Sequence, residues 1–222
     1  RFRMGSGAAD KTYVNLAWGE RPTPKSFAGG DLNGVREGLP YLEELGVSLL
    51  YLTPVFRSRS NHKYDVADYY EVDPQFGGNE ALRELVQAAH ARGMRVMLDG
   101  VFNHCSNENP IFQDVVRRGR QSPYYGWFYV EGDRASVERR NYLTFGDVPY
   151  MPKLNTESDA VIDYFCAVGA HWIREYGIDG WRLDVADEIA PRFLRRFREA
   201  VKAEKPDALI VGEVWHEAQD WL

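Results

Sequence analysis

Three stretches of the chain repeat one arrangement: apolar residues at helical spacing, a glycine, then a largely apolar run of strand character. Leu32, Val35, Leu39, Leu42 and Leu45 precede Gly46 and the run 47–52. Leu82, Leu85, Val86 and Ala89 precede Gly93 and the run 94–101, and Val161, Phe165, Val168, Trp172 and Tyr176 precede Gly177 and the run 178–185. Steps of three and four put each first set on one helical face, and glycine ends a helix in the left-handed conformation at least steric cost. A largely apolar run of this length suits a buried strand. A fourth helical pattern, about 191–203, leads to a strand at 208–214. Repeated helix–strand alternation predicts an α/β fold with a parallel sheet, either a barrel or a doubly wound sheet.

The strand starts, at 47, 94, 178 and 208, are unevenly spaced. A plain strand–helix unit takes about 30 residues, so the step from 94 to 178 holds an excursion. Residues 105–150, rich in Tyr, Gly, Arg and Pro, are predicted to form a small inserted subdomain between a first part of the main domain, 1–104, and its continuation, 151–222. Polar residues gather at the carboxyl ends of the strands: Thr53, then Asp99, Asn103 and His104, then Arg182 and Asp184, then Glu213. Arg182 and Asp184, two positions apart, share one face of their strand. A single charged strand end is normally solvated or ion-paired, but five groups converging from three strands mark the end where α/β enzymes build their sites. An Asp and a Glu facing one bond form the chemical core of a retaining glycosidase.

Composition narrows the partners. A formal net charge of -6 and a pI near 5.5 offer no basic field for nucleic acid or an anionic membrane. No apolar run approaches the roughly 18 residues of a membrane span, and the first residues lack the apolar centre of a secretory signal, so a cytoplasmic location is expected. Cys105 and Cys166 read as free thiols, without metal-ligand spacing. The aromatic content, 14%, suits sugar-stacking surfaces, although most such rings belong to cores.

Six ordered segments carry a family resemblance: 27–34 (FAGGDLNG), 61–69 (NHKYDVADY), 99–104 (DGVFNH), 151–155 (MPKLN), 180–188 (GWRLDVADE) and 212–216 (GEVWH). Together they resemble glycoside hydrolase family 13, the α-amylase family. Within it, the segments 151–155 and 213–216 look most like the cyclomaltodextrinase, neopullulanase and maltogenic amylase group. The resemblance implies part of a (β/α)8 TIM barrel, about strands 2 to 5, with the inserted subdomain after the third barrel strand. It implies a hydrolase of α-1,4 bonds in cyclodextrins, pullulan or maltooligosaccharides, with some transglycosylation. Asp184 is then the nucleophile and Glu213 the acid/base. Arg182 beside Asp184 should favour its ionised form, whereas Glu213 should keep its proton until the bond breaks. His104 resembles a residue that hydrogen-bonds the cleaved sugar, Tyr64 its aromatic platform, and Asp99 a residue that orders the site. Glu188, Trp215 and His216 would line the aglycone side, with 151–155 closing the cleft.

The resemblance also implies a calcium site on an N-terminal loop and a Gly-Gly-Asp turn, here Asp10, Gly29 and Asp31. Calcium takes about 6 to 8 oxygens, and the loop 4–10 offers Asp10 as its main donor, so a solvated loop is the competing expectation. A whole barrel needs about 250 residues. The family's third carboxylate, in a His-Asp motif, has no counterpart because no His-Asp pair occurs in this sequence. The chain is therefore expected to be an excerpt of a longer enzyme whose full-length form is a candidate homodimer. An α-glucosidase or glucanotransferase of the same family, and a catalytically incomplete glucan-binding fragment, are the alternatives. The family's membrane-anchored transporter subunits are more remote.

Overall fold

The computed structural model describes residues 14–16, 19–23 and 25–218. Its elements run in the order β1 (Val14–Asn15), β2 (Ser26–Phe27), α1 (Leu32–Glu44), β3 (Leu49–Leu52), β4 (Phe56–Ser58), β5 (Val66–Val72), α2 (Gly78–His90), β6 (Arg95–Gly100), α3 (Pro110–Arg118), α4 (Asp159–Tyr176), β7 (Gly180–Leu183), α5 (Pro191–Glu204) and β8 (Leu209–Gly212), with short 3-10 turns between. Strands β3, β6, β7 and β8 form one parallel sheet in that order. Each next strand adds beside the previous one after a helix. A doubly wound sheet would reverse its order at a switch point, so the monotonic order selects the barrel and yields an arc of it.

The predicted helix stops hold. Gly46, Gly93 and Gly177 have φ of 78°, 71° and 71°, the left-handed region where a side chain is strained. Sequence patterning missed the antiparallel β4–β5 hairpin, whose pairing is interrupted by register shifts around Arg57. It also missed α3, begun by Asn109 capping Ile111 N–H and by Pro110 in the first turn.

The core lies between the sheet and α2, α4 and α5, and is dominated by fully buried Trp172, Trp181, Phe102, Phe165, Phe193 and Phe197. Helices α4 and α5 approach closely because residue 169 is glycine: a Cβ there would stand 2.5 Å from Phe197 Cε2. Core and site are coupled through Tyr69 on β5. Its hydroxyl donates to the carbonyls of Val101 and His104, both at 2.9 Å, fixing the backbone that leaves β6. Trp172 Nε1 donates in turn to Tyr69 O at 2.9 Å. At the opposite end of the sheet, buried Asp179 accepts from Val96 N–H at 2.8 Å and pairs with His90 at 2.7 Å, while its carbonyl receives Leu209 N–H. One aspartate thus pins the register of β6, β7 and β8.

Between β6 and α4 the chain makes its long excursion. Phe112 of α3 packs against Phe128 and Tyr142 at 5.0 and 4.9 Å, and isolated bridges link Phe128 to Leu154, Val130 to Tyr142 and Thr144 to Pro152. A further bridge, His104 to Lys153, ties the returning segment to the end of β6.

Candidate active site

Strand register brings the charged residues together. Asp99, near the end of β6, is the register partner of Arg182 in β7, and Leu183 is the partner of Gly212, so Asp184 and Glu213 emerge side by side. Arg182 is the hub. Its Nη1 donates to Asp99 Oδ2 at 2.8 Å and to Asp184 Oδ1 at 2.9 Å, and its Nη2 pairs with Glu213 Oε1 at 2.6 Å. A planar guanidinium presents its donors in a fixed fork, so the two carboxylates singled out from the sequence are neighbours held on one rigid group.

The backbone reinforces that geometry. Glu213 N–H donates to Leu183 O at 2.9 Å and Ala186 N–H returns to Glu213 O at 2.9 Å. Between them Val185 adopts φ 47°, a costly conformation for a β-branched residue. The turn aims Val185 N–H at Glu213 Oε2, 3.0 Å away.

Three carboxylates facing one arginine cannot all ionise freely. Burial, then the charge of Asp99, raises the Asp184 pKa to about 7, against the opposing pull of Arg182. Burial likewise raises Asp99 to about 6, although Tyr51 and Arg182 favour its charged form. For Glu213 burial is outweighed by the Val185 N–H, Trp215 and Arg182, and its pKa is lowered. This reverses the order expected from sequence. Arg182 is shared among three acids, and Glu213, the more exposed partner, collects a backbone donor that Asp184 lacks. The near-neutral proton therefore belongs to the cluster as a whole.

Tyr64 stands at the rim, where burial and then the Asp99 charge raise its pKa. It is carried there by Lys63, whose φ is 64° and whose buried ammonium donates to Ser58 O at 2.9 Å and to Asp73 Oδ2 and Gln75 Oε1 at 2.7 Å. His104 is fully buried and stacked on Phe145 at 4.6 Å, with neither ring nitrogen in a hydrogen bond of normal geometry among the described residues. Burial lowers its pKa to about 4, against a smaller opposing pull from the Tyr64 backbone, so at neutral pH the ring is uncharged. Asp99 Oδ1 and Asn103 Oδ1 are also buried without hydrogen-bond partners among the described residues. Such groups cost free energy unless something else satisfies them.

The outer residues are more dispersed. Glu188 Oε2 accepts from Lys153 Nζ at 2.5 Å and from Asn103 Nδ2 at 3.3 Å, linking the returning segment to the turn after Asp184. Trp215 is 73% exposed, its backbone N–H bonded to Asp187 Oδ2 at 3.3 Å, and His216 is exposed. Of the calcium candidates, Asp31 uses Oδ1 to cap α1 through Gly34 N–H at 2.8 Å, Gly29 has φ 75°, and Asp10 lies outside the described residues. Among the described residues no three His, Cys, Asp or Glu side chains converge as a metal-binding group. Sequence reasoning missed Tyr51, which donates its hydroxyl to Asp99 Oδ2. Its signal lay inside the apolar run 47–52, where a polar-tipped ring alternates with Leu50 and Leu52.

The family model for the alpha-amylase catalytic domain matches residues 1–222. The chain belongs to the alpha-amylase family. Within that family it is 56% identical over 223 residues to the cyclomaltodextrinase of Geobacillus thermopakistaniensis and 54% identical over 226 residues to neopullulanase 2 of Thermoactinomyces vulgaris. Each match covers 100% of this chain and 38% of the relative, so the chain spans well under half the length of these curated proteins. The solved type III pullulan hydrolase from Thermococcus kodakarensis superposes with a TM-score of 0.88 at 41% identity, covering 94% of this chain and 38% of that one. The partial TIM barrel of the alpha-amylase family is accordingly the fold. Among the described residues no helix is long and apolar enough to cross a membrane.

Proposed function

We propose that the protein of which this chain is a part is a retaining α-glucan hydrolase, acting on α-1,4 bonds of cyclodextrins, pullulan or maltooligosaccharides. One observation carries the reading: Asp184 and Glu213 sit on the two terminal nitrogens of a single guanidinium at the carboxyl end of a parallel sheet. Such neighbours fit the short carboxyl separation, about 5 to 5.5 Å, of retaining rather than inverting glycosidases. The names of the relatives, a cyclomaltodextrinase and a neopullulanase, supply the substrate class.

In this reading Asp184 Oδ attacks the anomeric carbon while Glu213 gives a proton to the departing glycosidic oxygen. The glycosidic bond breaks as the ester to Asp184 forms. Glu213 then takes a proton from water, whose oxygen displaces Asp184, and the anomeric configuration is kept. When another sugar hydroxyl takes the place of water the product is a transglycosylated glucan. Glu213 starts ionised against Arg182 and Val185, so the cluster's shared proton has to reach it as substrate covers the site. Tyr64 offers a face to the sugar. His104 and Asp99, with buried unpaired polar atoms, are suited to sugar hydroxyls. Residues 105–150 act as the inserted subdomain beside the cleft.

The test uses the full-length protein on a cyclodextrin. Glu213→Gln should lower kcat by about 10²- to 10⁴-fold, and Asp184→Asn should abolish turnover, both with glucan binding kept. Proton NMR of the first product should show the α-anomer. A β-anomer appearing first, or near-normal turnover by Asp184→Asn, would refute the mechanism.

A further inference from the structure

The Arg182 hub is held from below by a group that the reaction scheme leaves unused. Tyr51 lies in β3 opposite Met97 of β6, one pleat short of the Asp99–Arg182 register pair. Its hydroxyl donates to Asp99 Oδ2, the same oxygen that receives Arg182 Nη1 at 2.8 Å. Its ring centroid lies 5.9 Å from Arg182 Cζ, within reach of a cation–π attraction. Asp99 Oδ1 is buried and has no hydrogen-bond partner among the described residues, so the described hydrogen bonds hold its carboxylate through Oδ2. Tyr51 therefore touches both halves of the pair that orients the arginine, Asp99 through its hydroxyl and Arg182 through its ring.

We propose that Tyr51 is a positioning residue: its hydroxyl holds Asp99, and its ring holds Arg182, in the orientation from which the guanidinium bridges Asp184 and Glu213. The inference rests on the glycosidase reading of that pair. The charged and titratable groups facing the junction are Asp99 from β6, Arg182 and Asp184 from β7, Glu213 after β8 and Tyr64 from the hairpin loop. A hydroxyl donated to a carboxylate favours its ionised form. Removing the hydroxyl leaves the cluster with a higher proton affinity, so protonation sets in at higher pH.

Tyr51→Phe in the full-length protein keeps the ring and deletes the hydroxyl. Loss of one hydrogen bond to a charged group predicts a kcat lowered about tenfold, with KM changed less, and an acidic limb of the kcat–pH profile moved to higher pH. Tyr51→Leu, which also deletes the ring, should lose more. A residue that merely fills space would lower activity without moving the limb. An unmoved limb, or a wild-type kcat in Tyr51→Phe, overturns the proposal. If the wild-type protein turns over no α-glucan, the glycosidase reading falls. Tyr51 is then judged by thermal midpoint against pH, where Tyr51→Phe should shift the cluster's proton uptake upward and coincident curves would overturn it.

Discussion

Lys63 shows how much a single side chain can carry outside the chemistry. Its ammonium and the Asp73 carboxylate are 2% and 5% exposed, and the ion pair spans the base of the β4–β5 hairpin while the next residue, Tyr64, stands at the rim of the site. Removing one partner of a buried pair leaves an uncompensated charge, which costs about 3 to 5 kcal/mol. Lys63→Met should therefore lose about that much in urea unfolding, and a loss under about 1 kcal/mol would contradict the account. The sequence marked Lys63 as part of the segment 61–69 but gave no hint of its role. Its partner Asp73 is reached only through a hairpin whose register is broken by bulges. Asp184, Glu213, Arg182 and His104 were legible individually because each lies at or just past the carboxyl end of a largely apolar run. The direction of the proton was not, because it depends on how one guanidinium divides itself among three acids.

At the scale of elements, the four parallel strands and the helices before them were readable from apolar spacing and the glycine stops, with no strand end shortened by more than two residues in the folded chain. Patterning fails where tertiary contacts decide. The three residues of β4 are too few to show a period, and β5 alternates unevenly because both of its faces are partly covered. Packing between α4 and α5 offers a sharp test. Gly169→Ala places a methyl against the ring of Phe197 and 3.2 Å from Val201 Cγ2. Overpacking of this kind costs about 1 to 3 kcal/mol, although alanine is the better helix former. A lowered thermal midpoint is expected. An unchanged one would mean that the helices slide apart freely.

For the whole molecule, proton linkage ties site to stability. Asp184, raised from 3.8 to about 7, and Asp99, raised to about 6, bind protons more tightly in the folded than the unfolded chain. Between those values folded protein holds more protons, so their contribution to stability falls as pH rises from about 4 to 7. His104, lowered from 6.5 to about 4, acts oppositely: its contribution is lost as pH falls through that window. Subtracting the stability–pH curve of full-length Asp184→Asn from that of the wild type isolates the acid, and the difference should run downward with pH. A flat difference would show that Asp184 titrates normally. The left-handed Val185 gives this proton inventory a local witness. Its amide hydrogen points at Glu213 Oε2, so its resonance responds whenever that oxygen gains a proton, loses its arginine or turns toward a sugar. One backbone signal can thus report the charge state of the acid through binding and turnover, with no label placed on the reacting groups.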